Sequence, residues 1–299
     1  MPNARTLVAS ASILAVCAVT YGGDLNPPPG AVAPTDRVRI NPETAGVPIV
    51  IDEPGSYVLT GPVLDCIGCD DLPNHGIVIS AADVTLDCNG FQIVGDPENS
   101  AVGISLIFPA ENVVIRNGTV RNWSFAGILG GGTGVTLEDM RVNSCGQSGG
   151  GSGISLSSEA RVVGCTSNSN GGAGIQVSFG ATVQDCIATG NTGNGIETAF
   201  GGLTNGSVLE NCVSRNNGGI GFSLGDGTTA RGCSASQNGG AGMIIGPGGV
   251  ASGCSAVLNG GTGIEVVNAL AHGCAAAWNT GADITLTAGG VAIDSHDAP

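Results

Sequence analysis

Six cysteines repeat at nearly constant spacing in the second half of the chain, and this repeat restricts the fold more than any other feature. The gaps between successive cysteines are 21, 26, 21, 21 and 20 residues. An asparagine follows each cysteine after five residues. A short repeat without helical periodicity predicts a solenoid of strands, in which each coil stacks on the next. The cysteines are Cys165, Cys186, Cys212, Cys233, Cys254 and Cys274, and the asparagines are Asn170, Asn191, Asn217, Asn238, Asn259 and Asn279.

A short apolar segment begins nine residues after each ladder cysteine, and similar segments occur upstream. Most of these segments start with glycine, so we call their predicted strands glycine-led. Ten starts predict ten coils, which would stack to roughly 48 Å at about 4.8 Å per coil. The sequence therefore predicts one elongated all-β domain. The starts are Gly76, Gly103, Gly127, Gly153, Gly174, Gly195, Gly221, Gly242, Gly263 and Asp283.

The alternation of apolar and polar residues breaks once in each coil. In the segment 181–188, Val183, Cys186 and Ala188 would point inward, and Asp185 interrupts the period of two. Glycine, asparagine and aspartate occupy this position, and these residue types tolerate unusual backbone angles. The break therefore predicts a bend between two strands. The equivalent positions are Asn117, Asp139, Gly164, Asn211, Gly232, Gly253 and Gly273.

The repeats resemble those of right-handed parallel β-helix proteins of the pectin-lyase-like superfamily. The segments Val84–Phe91 and Val114–Val120 are typical of its secreted members. The resemblance covers about residues 48–290, and it implies a single-stranded right-handed parallel β-helix. The right-handed crossover rule supports the same handedness. Because the superfamily includes lyases, hydrolases, epimerases and adhesins, the resemblance implies no single activity.

The division of the chain follows from the repeats and from composition. Residues 1–18 are predicted to be a signal peptide, with Arg5, a short apolar run and cleavage after Ala18. Lipidation of Cys17 is the alternative. We expect a Pro-rich leader at 19–47, N-terminal cap strands at 48–75, the β-helix at 76–290 and a C-terminal tail at 291–299. The expected location is secreted, extracellular or at the cell surface, without a membrane span.

The charge of the chain restricts its partners. The net charge is −15, and all nine basic residues are arginine. Such a chain repels nucleic acid and anionic membrane surfaces. It also repels polyanionic glycans unless a cation bridges them. A polysaccharide or a cell-surface component is therefore the predicted partner class, and the sequence does not give the oligomeric state.

The cysteines allow more than one interpretation of their chemical state. Ten remain after cleavage, and secreted cysteines often pair. Stacked, parallel side chains rarely give a disulfide its required dihedral angle, so we expect the ladder cysteines to be buried thiols. The pairing of Cys66, Cys69, Cys88 and Cys145 stays open. A zinc site formed by Cys66, Cys69 and His75, with Cys88 as the fourth ligand, is an alternative to structural cysteines.

No cofactor is expected from the sequence. Asp65, Asp70 and Asp71 form a local acidic cluster. A solvated acidic turn is the simpler interpretation, and a calcium ion is the alternative. The calcium-binding nonapeptide repeat is absent from the sequence.

Substrates in the resembling superfamily usually lie across the glycine-led strands, which implies a binding face here. The outward residues on that face that we select as groove candidates are Ser155, Gln176, Glu197, Ser223 and Glu265. Glu197 and Glu265 would lie three coils apart, about 14 Å at the usual strand spacing. Glycosidases need carboxyl groups about 5–5.5 Å or about 6.5–9.5 Å apart. These two residues fit neither class.

The predicted function is a structural, surface or glycan-binding role without an evident catalytic constellation. Whether the protein is an enzyme stays undecided, with the non-catalytic reading favoured. The alternative is a lyase, epimerase or glycoside hydrolase acting on the glycine-led face. In that case the inserted segments 146–152 and 201–205 would supply residues, because insertions in solenoids cluster on one face. A third reading is an assembly module that stacks through an open coil end.

Overall fold

The computed structural model describes residues 37–45, 47–64, 75–98, 101–198 and 206–297. Every strand pairing in these ranges is parallel, as in a solenoid whose successive coils follow the same path. The helical structure in the same ranges is one short helix, Pro42–Ala45. The predicted signal peptide, the acidic cluster and the inserted segment 201–205 lie outside the described residues, as do Cys66 and Cys69.

One face of the solenoid is the glycine-led sheet, which has eleven strands within the described ranges. Each strand pairs in register with its counterpart one coil away, for example Gln176 with Glu197. Inward residues on this sheet, such as Ile175 and Ile196, are fully buried. The strands are Ile49–Ile51, Ile77–Ile79, Val102–Leu106, Ala126–Gly130, Ile154–Leu156, Ile175–Val177, Ile196–Thr198, Phe222–Leu224, Met243–Ile245, Ile264–Val267 and Ile284–Thr287.

Two further stacks of strands complete each coil, and two long strands, Val114–Arg121 and Thr136–Asn143, run through both of them. The second stack also contains Val38–Ile40, Gly55–Leu59, Val84–Asp87, Arg161–Val163, Thr182–Gln184, Val208–Glu210, Thr229–Arg231, Val250–Ser252, Leu270–His272 and Val291–Ile293. The third stack also contains Val63–Leu64, Gln92–Val94, Thr166–Asn168, Ile187–Thr189, Val213–Arg215, Ser234–Ser236, Ser255–Val257, Ala275–Ala277 and His296–Asp297.

The bends between the second and third stacks lie where the sequence predicts them. Asp185 and the seven equivalent residues all have φ between +52° and +63°. Only glycine adopts this left-handed region freely, and asparagine and aspartate tolerate it better than other residues. The prediction of these bends is therefore confirmed, and the residue types explain why.

Both ends of the solenoid extend beyond the predicted boundaries. Within the predicted leader, strand Val38–Ile40 pairs with Tyr57–Leu59. The predicted cap contributes strand Ile49–Ile51, which pairs with Ile77–Ile79 and thereby adds an eleventh strand to the glycine-led sheet. The predicted tail contains strand Val291–Ile293. These segments lack the cysteine and asparagine markers, so the repeat did not reveal them.

Two coils fill the interior differently from the rest. Gly118 and Met140 stand where other coils have the ladder cysteine. A Cβ on Gly118 would lie 2.5 Å from the Cβ of Cys88 and 3.3 Å from Cε of Met140. The missing side chain at one coil therefore makes room for the longer side chain at the next.

Trp123 replaces the ladder asparagine and is completely buried. Its indole N–H donates to the carbonyl oxygen of Ile93 at 3.2 Å. Gly95 lies against the ring, since a Cβ there would come within 2.5 Å of Cδ2. In the coils before the ladder, the Trp123 ring thus occupies space that Gly76, Gly95 and Gly103 leave open.

Candidate functional site

A ridge of four outward side chains crosses the glycine-led sheet where the regular ladder begins. Leu129, Ser155, Gln176 and Glu197 occupy equivalent positions on four successive strands. Alternation along each strand directs these side chains outward while their neighbours fill the core. We call these four residues the ridge.

Hydrogen bonds join the polar residues of the ridge into one chain. The Ser155 hydroxyl donates to Oε1 of Gln176 at 3.1 Å, and Nε2 of Gln176 donates to Oε1 of Glu197 at 2.7 Å. Nδ2 of Asn194 donates to the second carboxylate oxygen, also at 2.7 Å. The backbone N–H of Ile220 donates to Oδ1 of Asn194 at 2.8 Å and fixes that amide. The orientation of the Glu197 carboxylate is therefore determined from both sides.

Two depressions run along the solenoid axis, one on each side of the ridge. The first has a volume of about 620 Å³ and lies over the C-terminal ends of the strands, between Ile107 and Thr198. The second has a volume of about 500 Å³ and lies over the N-terminal ends, with Phe125 and Asn194 in its wall. Together with the ridge they form a shallow groove, which we call the ridge groove.

Glycine backbone forms part of the second depression. Gly151, Gly172 and Gly193 stack in consecutive coils, with N–H to carbonyl distances of 2.8 and 3.0 Å. A Cβ on Gly193 would lie 2.8 Å from the carbonyl carbon of Gly172. This close stacking excludes side chains, which keeps the depression open. Gly151 and Ser152 belong to the inserted segment 146–152, so this insertion contributes to the groove.

Two of the five groove candidates lie apart from the other three. Ser155, Gln176 and Glu197 meet in the ridge. Ser223 pairs with Glu197 in register but is only 4% exposed, so it presents no open surface. Glu265 lies on the same face two strands beyond Ser223 and lines neither depression. The structure therefore brings three of the five groove candidates together and separates the other two from them.

Sequence reasoning missed Leu129, Asn194 and Phe125 as groove residues. Leu129 occupies an outward position on its strand, but it carries no polar group that would mark a site. Phe125 precedes its strand and is 53% exposed. Asn194 also precedes a strand, and nothing in the repeat distinguishes it. Only the insertion at 146–152 gave a signal for this side of the groove.

The asparagine ladder forms a continuous hydrogen-bonded column beside the core. The backbone N–H and Nδ2 of Asn170 both donate to Oδ1 of Asn191, at 3.0 and 2.9 Å. The same pair of bonds recurs from Asn191 to Asn217 and onward to Asn279. At the last coil Nδ2 of Asn279 donates to Asp283. Buried amides are therefore satisfied from coil to coil.

The ladder cysteines are buried free thiols that stack along the core. The Cys186 thiol donates to the carbonyl oxygen of Gln184 at 3.1 Å. Contact with the sulfurs of Cys165 and Cys212, together with burial, raises the pKa of Cys186. Burial also raises the pKa of Cys88 to about 12. A protonated, buried thiol is a poor nucleophile, so Cys186 and Cys88 act as core residues.

A charged cluster lies at the start of the second stack, away from the groove. Asp87 accepts from Arg37 at 2.9 Å and from Arg116 at 3.2 Å. Burial opposes its charge, but hydrogen bonds from Asn89 and Asn117, with the two guanidinium groups, hold the pKa of Asp87 below its ordinary value. This arrangement resembles a structural ion pair that joins coils.

Metal-binding geometry is absent from the part of the chain that the structure describes. No group of three or more histidine, cysteine or acidic side chains there could hold a metal ion. His75 is described, and burial lowers its pKa. Its proposed zinc partners Cys66 and Cys69 and the calcium candidates Asp65, Asp70 and Asp71 lie outside the described residues.

Comparisons with known proteins agree on the architecture. A family model described as "right handed beta helix region" matches residues 67–204. No curated protein sequence matches the chain. Among the described residues, no helix is long and apolar enough to cross a membrane.

Several solved structures share the fold at low sequence identity. Pectate lyase Pel9A has a TM-score of 0.59 at 13% identity, over 78% of this chain and 68% of the lyase. The Dettilon tailspike protein has a TM-score of 0.58 at 13% identity, over 86% of this chain and 60% of the tailspike. The A-module of the Azotobacter vinelandii mannuronan C-5 epimerase AlgE4 has a TM-score of 0.53 at 13% identity, over 87% of this chain and 84% of the module.

The chain therefore has the right-handed parallel β-helix fold. The predicted fold class is confirmed, with eleven rather than ten glycine-led strands in the described ranges. The similar proteins include enzymes and a tailspike, so the likeness shows the fold alone.

Proposed function

We propose that the protein is a non-catalytic glycan-binding β-helix whose ligand lies in the ridge groove. The observation that carries this proposal is the ridge itself, in which Gln176 and Glu197 are held in fixed orientations between two open depressions. Ligand sites typically combine apolar surface with a few oriented polar groups. The ridge groove offers this combination.

The apolar parts of the ridge groove also favour a sugar as the ligand. Phe125 is 53% exposed on the wall of one depression, and Ile107 is 48% exposed on the wall of the other. An exposed aromatic ring packs against the apolar face of a pyranose ring, while the carboxylate and amide oxygens of the ridge accept hydrogen bonds from its hydroxyl groups. We propose that the protein binds its ligand outside the cell, because the sequence of residues 1–18 is typical of a signal peptide.

The similarity to a pectate lyase and a mannuronan epimerase favours one alternative, an enzyme acting on uronate polymers. Such chemistry needs a base and a cation that neutralises the substrate carboxylate. Glu197 is the ionisable residue among the described residues that line the depressions. A role as the base would show as unsaturated or epimerised products, assayed with and without calcium, that are lost in Glu197→Gln.

Binding is tested by titrating the purified protein with a panel of oligosaccharides in a calorimeter. We expect Gln176→Ala to weaken binding at least tenfold, equivalent to about 1.4 kcal/mol, because the variant removes one ridge amide and frees the Glu197 carboxylate. Glu265→Ala is the matched control, since it removes an outward residue from the same sheet outside the groove. Unchanged affinity in Gln176→Ala would refute the groove as the site.

A further inference from the structure

We propose that the ridge groove selects uncharged glycans and rejects uronate polymers. This inference rests on the proposed function and specifies its ligand class. It departs from the uronate polymers after which the pectate lyase and the mannuronan epimerase that share the fold are named. Its basis is the distribution of charge around the groove.

The described walls of the ridge groove carry one charged residue, Glu197, and its charge is negative. Within the described ranges, Glu197 is the one ionisable side chain on the walls of the two depressions, and none of the lining residues is Arg or His. A uronate oligomer carries a carboxylate on every sugar and needs cationic partners to be desolvated. The groove supplies no such partner from its described walls.

The arginines near the middle of the chain are engaged on other faces. Arg116 contacts Asp87, Arg161 contacts Glu138 at 3.2 Å, and Arg231 contacts Glu210 at 3.1 Å. All three arginines lie on the second stack, whose strands are distinct from those of the glycine-led sheet. These three arginines are therefore engaged in cross-coil ion pairs on the second stack rather than directed toward the groove.

The Glu197 carboxylate is already arranged to accept hydroxyl donors. Gln176 and Asn194 each occupy one of its two oxygens, at 2.7 Å. A carboxylate has about four lone-pair sites, so acceptor capacity remains for sugar hydroxyl groups. A uronate carboxylate at the same place would bring two acceptors and two negative charges together. The net charge of −15 adds repulsion at longer range.

The test uses pairs of linear hexasaccharides that differ in charge. Glucan, mannan and galactan hexamers are compared with polymannuronate and polygalacturonate hexamers by calorimetry at low and physiological salt. We expect one or more neutral hexamers to bind at least tenfold more tightly than either uronate. Raising the salt should reduce this difference, because screening weakens the repulsion.

Two isosteric variants separate local charge from overall charge. Glu197→Gln removes the groove charge, and we expect it to reduce the preference for neutral hexamers at least threefold. Glu265→Gln makes the same charge change on the same sheet outside the groove, and the preference should persist. If a uronate hexamer binds more tightly than the neutral hexamers, and Gln176→Ala abolishes that binding, this inference is wrong. The groove would then remain a glycan site. Absence of binding to every hexamer would overturn the proposed function itself.

Discussion

The coils before Cys145 and the coils from Cys165 onward fill their interiors by different means. In the earlier coils, Trp123 and Met140 fill the interior as large side chains set against glycines. In the later coils a cysteine and an asparagine recur in each turn, and the asparagines bond to one another along the axis. The earlier coils are stabilised by volume matching, and the later coils by a repeated hydrogen-bonded column.

The comparison also locates the site. The ridge groove extends from Ile107 to Thr198, across the junction between the two regions. The insertion 146–152, which forms part of one depression, interrupts the repeat at the same place. Where the repeat is interrupted, the chain can vary its surface without breaking a ladder. The last coils, between residues 232 and 282, have a nearly uncharged surface, with Glu265 as the only Asp, Glu, Lys or Arg in that range.

The largest effect should follow from emptying the irregular interior. Trp123→Ala removes a fully buried ring and the donor to Ile93, so we expect a loss of about 3–5 kcal/mol in the free energy of unfolding. Urea unfolding measures this loss. Trp278→Ala is the control, because Trp278 is 66% exposed and should change stability by less than about 0.5 kcal/mol. Equal effects of the two variants would show that the buried ring is not central.

Breaking the asparagine column should lower the free energy of unfolding somewhat less than Trp123→Ala does. Asn217→Ala leaves the backbone N–H of Asn191 without its acceptor and removes one of the two acceptors of Nδ2 of Asn191. At about 1–3 kcal/mol for an unsatisfied buried group, we expect a loss of about 3 kcal/mol, measured by urea unfolding. Asn216→Gly changes the exposed neighbour at φ +55° and should be nearly neutral. If Asn217→Ala were equally mild, the column would not stabilise the later coils.

The cysteine column should contribute through packing alone. Cys212→Ala removes one buried sulfur, and we expect a loss of about 1 kcal/mol, as for other small deletions in a core. Cys88→Ala is the comparison, because Cys88 stacks on Gly118 rather than on another sulfur. Similar losses in the two variants would support packing as the cause. A loss of several kcal/mol in Cys212→Ala alone would indicate that sulfur–sulfur contact matters.

The smallest effect concerns the ion pair of the earlier coils. The pKa of Asp87 is lowered in the folded protein, so its contribution is present above the unfolded pKa of about 3.9 and disappears as the pH falls through the folded value. We expect the stability difference between wild type and Asp87→Asn to be constant near neutral pH and to shrink below about pH 4. A difference that grows on acidification would contradict the lowered pKa.

The sequence predicted the parts of the fold in which only a few residue types are physically acceptable. The bend at Asp185 and its equivalents could be predicted, because few residues accept a positive φ. The strands Ile49–Ile51 and Val291–Ile293 carry ordinary apolar residues without a marker, so they could not be assigned to the solenoid. Trp123 also gave no sign of its role, since its partners are glycines whose contribution is the space they leave.

The site was predicted only in part for a related reason. Alternation along the strands identified Ser155, Gln176 and Glu197 as outward residues. The depressions beside them depend on backbone stacking at Gly172 and Gly193, which becomes visible only when neighbouring coils are placed together. The burial of Ser223 likewise results from its surroundings rather than from its own strand.

A crystal structure of the protein with a bound neutral hexasaccharide would test the central claim most directly. The account predicts a ligand in the ridge groove, with sugar hydroxyl groups on the Glu197 carboxylate and a ring against Phe125. A hexasaccharide on the surface of the later coils, with the ridge groove left empty, would contradict the assignment of binding to the interrupted part of the repeat.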